Sequence, residues 1–176
     1  AVPHLRRAGH QALLRFRYAE AAQMLAQAGS LSSAGGDRTA AFDLYFDAAD
    51  AAASLGEPQR LADLVDRLDA LADDAPRIAR AALVRSVFSI ELGRYEAALE
   101  VAQRGLAPAR EAGLVEIESE LLYAIGVAHW EQREIASAIA HVEPALALRR
   151  ALPASAQGPE HLSTLITVVQ ALGAMQ

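Results

Sequence analysis

Cysteine, lysine and asparagine do not occur anywhere in the 176 residues. Without cysteine there can be no disulfide and no thiolate metal site, which leaves the compartment open, with a reducing cytoplasm as the default expectation. Aromatic side chains are only 5% of a chain that is 53% apolar, so the interior must be built largely from aliphatic residues and alanine. An excess of positive charge is also lacking. The 16 basic residues against 22 acidic ones give a net charge of −6, which supplies no overall drive towards nucleic-acid phosphates or anionic lipid. Neither direct nucleic-acid binding nor membrane association is expected. No uninterrupted apolar run approaches the roughly 18 residues that would span a bilayer, and the opening AVPHLRRAGH lacks the hydrophobic centre of a signal peptide. The missing initial Met suggests a piece of a larger protein, and the missing Lys and Asn an Arg-biased, GC-rich genome.

Sequence signatures of catalysis are missing as well. There is no P-loop, no GxGxxG following a strand and no HExxH, and the five histidines are scattered at spacings such as His4 to His10 that do not suit one metal-binding helix face. No catalytic, cofactor-binding or metal-ligating residue is therefore assigned, and the chain is read as a non-enzyme. His129 and His141, on the two helices of one predicted hairpin, are read as packing or exposed residues rather than a ligand pair.

What the chain does have is an internal repeat. Ser86, Gly93, Tyr95, Ala98, Gly105 and Leu106 recur, 40 positions later, as Gly126, Arg133, Ile135, Ala138, Ala145 and Leu146. Each copy reads as two amphipathic helices joined by a tight polar break, first at Gly93-Arg94 and then at Gln132-Arg133-Glu134. Small residues fall where the two helices must approach, and a larger side chain there would overpack.

Two further copies precede these. Gly9, Phe16, Tyr18, Ala21 and Ala28 take the same places in HLRRAGHQALLRF and YAEAAQMLAQAG, and Ala49 lies 40 positions after Gly9 and 37 before Ser86. Asp37 is placed to cap the helix that follows it, while Pro58 and Pro76 suit the first turns of later helices. Pro108 is expected to end its helix. Pro144, interior to AHVEPALAL, is expected to bend its helix by removing the bond to the Ala140 carbonyl. After the loop signalled by Pro153, Gly158 and Pro159, HLSTLITVVQALG supplies the first helix of a further copy. The resulting division is 1–34, 35–74, 75–112, 113–152 and a half repeat at 158–176, all within one domain. The apolar face of that last helix, including Leu165, Val169 and Leu172, is expected to serve as a cap or to bring two copies together as a homodimer.

The pattern of a small residue, Gly-x-Tyr at the turn, then Ala, then Ala-Leu resembles the tetratricopeptide repeat (TPR) family. Gly93-Arg94-Tyr95 and Ala98 carry the likeness best, whereas Arg133 and Ile135 depart from it. The resemblance implies an all-α fold, an α-solenoid of antiparallel helix hairpins forming a right-handed superhelix of about nine helices. It also implies a concave groove lined by the first helix of each unit. Carried onto this chain, that face falls on Arg6 and His10; on Asp43, Phe46, Asp47 and Asp50; on Arg80, Leu83 and Val87; and on Tyr123, Val127 and Trp130. The acidic trio shares one helix face through spacings of four and three, and is either a binding feature or a solvated surface. Tyr123 and Trp130 either line the groove or pack against the neighbouring repeat. The family's carboxylate clamp uses Asn, which this chain does not contain.

Repeats near 40 residues with an opening HLRRAGHQALLRFRYAEAAQML resemble the arrays found in large bacterial signal-transduction ATPases and ATP-dependent transcription regulators. That likeness implies a non-catalytic sensor or interaction module. Its partner would be a protein, a peptide, another domain of the same parent chain or a small-molecule inducer. The alternative is a constitutive assembly scaffold or chaperone-type adaptor that does not switch.

Overall fold

The computed structural model describes residues 1–55 and 58–152. Among these residues every regular element is a helix: α1 (Val2–Leu13), α2 (Tyr18–Ala34), α3 (Arg38–Ala53), α4 (Pro58–Leu71), α5 (Ala75–Glu91), α6 (Tyr95–Glu111), α7 (Val115–Glu131) and α8 (Ile135–Ala151). Each helix packs chiefly on its neighbours in sequence, and α3, α5 and α7 also touch in succession. The chain is thus an all-α solenoid, in which odd-numbered helices form one layer and even-numbered helices the other. The ninth helix expected over 158–176, with Leu165, Val169 and Leu172, lies outside the described residues.

Alanine explains how the layers close up. Ala21, Ala28, Ala41, Ala48, Ala51, Ala52, Ala79, Ala102, Ala109, Ala128 and Ala145 are almost wholly buried, and Phe42, Leu25, Leu61, Leu68, Leu121 and Ile125 are the large side chains fully enclosed among them. Close approach is tightest where the repeat places its smallest residues. A Cβ added at Gly126 would come within 2.4 Å of Val142 Cγ2 on α8, and one at Gly9 within 2.6 Å of Leu25 Cγ on α2. Ser86, in the same place on α5, is fully buried and turns its hydroxyl back onto the Leu83 carbonyl.

The turns inside three hairpins are built alike. Phe16, Gly93 and Arg133 have φ of 56°, 69° and 65°, and the next residue's N–H donates back across the turn: Arg17 to Ala12 O, Arg94 to Ser89 O, and Glu134 to His129 O, all at 2.8–2.9 Å. This is the left-handed helix stop that glycine normally occupies. Two of the three positions use a residue with a Cβ instead. The same stop at Gly36 and Gly113 separates consecutive hairpins.

Helix starts follow their capping chemistry. The Asp37 carboxylate accepts from the Ala40 N–H at 3.0 Å, and that of Asp74 accepts from the Arg77 N–H at 2.9 Å, with Pro76 in the first turn of α5. Pro58 begins α4. Pro108 does not end α6, contrary to the expectation: the helix continues through it to Glu111. A proline forfeits only its own N–H bond and displaces one carbonyl. The neighbouring bonds go on, as when Ala112 donates to the Pro108 carbonyl at 3.0 Å. Pro144 is likewise internal to α8.

Candidate functional site

The face formed by α1, α3, α5 and α7 is assembled from residues three and four apart on each helix. Repetition brings successive sets side by side, and several of their side chains bind across repeats. His10 on α1 meets Asp47 on α3, with Nε2 3.0 Å from Oδ2. Arg80 on α5 donates from its guanidinium to Asp43 Oδ1 at 2.7 Å. The same guanidinium lies 4.1 Å from the centre of the Phe46 ring and 5.1 Å from that of Phe42. Arg80 is thereby held by an ion pair and by two aromatic rings at once, which fixes a long side chain that would otherwise be free.

These contacts divide the acidic trio. Asp43 and Asp47 are engaged by Arg80 and His10. The Asp50 carboxylate makes no hydrogen bond or ion pair among the described residues, and its pKa is pushed above the ordinary 3.8. Desolvation is the first cause; repulsion by Asp47 and by Glu116, on the first turn of α7, adds to it. Asp50 keeps an exposed surface, yet enough protein surrounds its carboxylate that desolvation leads.

Beyond Asp50 the face becomes apolar. Leu83, Val87, Tyr123, Val127 and Trp130 are each half-buried, neither enclosed in the core nor standing clear in solvent. Leu83 leans on the cluster of Ala79, Ala102, Leu121 and Ile125. Burial raises the Tyr123 phenol pKa, as desolvation does to any group that must become an anion. Phe46 is half-buried beneath Arg80 rather than open. Arg6, one turn before His10, is exposed and makes no ion pair among the described residues.

Two acidic members of this region were not among the residues singled out from the sequence. Glu116 and Glu120 continue the Tyr123, Val127, Trp130 series backwards by the same steps of three and four, so the spacing did contain them. Glu120 is half-buried and bound by the Arg149 guanidinium of α8, which leaves Glu116 as the exposed one.

No family model matches this chain, and no curated protein matches it. Among the described residues, no group of three His, Asp or Glu side chains is arranged to hold a metal ion, and no helix is long and apolar enough to cross a membrane. His129 and His141 stack with ring centres 5.3 Å apart, and each Nδ1 is already engaged, by Glu134 and by the Ser137 carbonyl.

Proposed function

We propose that this chain is a non-catalytic interaction module of the tetratricopeptide type, serving as the sensor or partner-binding part of a larger bacterial signalling ATPase or transcription regulator. The observation that supports this reading is the division of labour on the α1, α3, α5 and α7 face. Asp43, Asp47, His10 and Arg80 are consumed in joining repeats, while Asp50, on the same face as the half-buried Leu83, Val87, Tyr123, Val127 and Trp130, has no partner among the described residues.

Such a face suits a peptide or protein segment that offers apolar side chains and one cation or hydrogen-bond donor. The apolar contacts supply most of the affinity, and the charge supplies orientation. The test is selection from a displayed peptide library on the 176-residue chain, followed by binding measurements on groove variants. Selected peptides are expected to carry Arg or Lys among apolar residues, to lose affinity in Val87→Glu, and to lose salt sensitivity in Asp50→Asn. Peptides whose binding is indifferent to both substitutions would sink the reading.

A further inference from the structure

The net charge of −6 conceals a strong segregation. Residues 1–19 contain four arginines and no acidic residue, so the total is made of +4 there and −10 over the rest of the chain. Arg6, Arg7 and Arg15 make no ion pair among the described residues, in contrast to Arg77, Arg80, Arg85 and Arg110 further along. Within this basic region lie the two most exposed large apolar side chains described, Leu14 at 82% and Phe16 at 77%; the next, Ile78, reaches only 43%. Both are at the tip of the first hairpin.

Phe16 is doubly misplaced for a stable soluble turn. It adopts φ 56°, the region glycine fills at Gly93 in the equivalent turn of the third hairpin, and its ring makes one aromatic contact among the described residues, edge-on to Tyr18. Arg17, beside it, pairs with Glu20, but Arg15 is exposed and makes no ion pair among the described residues. The turn thus holds an aromatic ring outwards between basic side chains.

We infer that this Leu14–Phe16 tip docks on an anionic phospholipid bilayer. A protruding pair of apolar side chains can enter the headgroup layer without a complementary pocket, and nearby arginines are drawn to the anionic surface. Even fully covered, one Leu and one Phe bury on the order of 400 Å² on this chain, short of the roughly 600 Å² per partner at which stable protein interfaces begin. The acidic remainder does not oppose this contact strongly. At physiological salt, charges beyond about 8 Å are largely screened.

The test uses the whole chain with phosphatidylcholine vesicles, with and without about one third phosphatidylserine, in a co-sedimentation assay. Binding is expected to the anionic vesicles alone and to fall about tenfold near molar salt, where the screening length is roughly 3 Å. Phe16→Gly provides the decisive variant, because glycine suits φ 56°: it should melt no lower than the parent and lose vesicle binding. Replacing Arg6, Arg7 and Arg15 together by Gln should weaken binding in the same direction. Absence of phosphatidylserine-dependent sedimentation, or equal sedimentation of Phe16→Gly, would overturn the inference. So would self-association that Phe16→Gly abolishes in a chain that ignores vesicles, since the tip would then be a protein contact.

Discussion

A carboxylate's surroundings matter more here than its place in the sequence. Asp43, Asp47 and Asp50 occupy one face of α3 at steps of four and three, yet Arg80 and His10 engage the first two, and among the described residues Asp50 has no partner. Its raised pKa means that the folded chain holds the proton more tightly than the unfolded one, so the ionised form destabilises the fold at neutral pH. That penalty disappears as pH falls through the raised pKa towards 3.8. Asp50→Asn is accordingly expected to raise the melting temperature at pH 7, with the gain shrinking to nothing in acid; an equal shift at both pH values would show that charge is not the cause. At Gly126 the issue is space. A methyl group there would press on Val142 Cγ2 and, at 3.3 Å, on the Ala138 carbonyl. A β-branched side chain and a backbone atom cannot turn aside, so Gly126→Ala should cost about 1–3 kcal/mol in urea unfolding.

The hairpin turns repeat as units even where their residues do not. Gly93 meets the left-handed requirement without cost, whereas Arg133 must place a Cβ in a region that costs an L-residue roughly 1–2 kcal/mol. Arg133 also makes no side-chain pair among the described residues. Replacing it by glycine should therefore stabilise the chain by about 1 kcal/mol, less what glycine adds to the entropy of the unfolded state. Thermal unfolding of Arg133→Gly checks this, and a fall in melting temperature would mean that the long side chain packs usefully. A polar bond also links the two helices of the last described hairpin. The buried Ser119 hydroxyl of α7 donates to the Ala145 carbonyl of α8 at 2.9 Å, next to Pro144. Ser119→Ala should cost about 1 kcal/mol, measured in the same way.

At the scale of the whole molecule, helices that contact mainly their sequence neighbours are expected to make an elongated array. A compact globule of this length would have a radius of gyration of about 16 Å. Small-angle scattering is expected to give a clearly larger value, and one at or below 16 Å would contradict the solenoid.

Periodicity alone determined that this chain is all-helical and built of hairpins. The reason is local: an apolar stripe at helical spacing, a small residue at each crossing and a turn signal between helices act within a few residues of one another. Even the left-handed positions could be located by register, since Phe16 and Arg133 align with Gly93. Spacing also placed Asp43, Asp47 and Asp50 on one face. Only tertiary structure decided which of them is available, because His10 and Arg80 lie 37 residues from their partners and reach them through helix stacking. It likewise decided that Phe46 is covered by a guanidinium and that Pro108 is carried inside α6. Pairing and desolvation depend on what stands across the gap between helices, and a one-dimensional pattern contains no term for that.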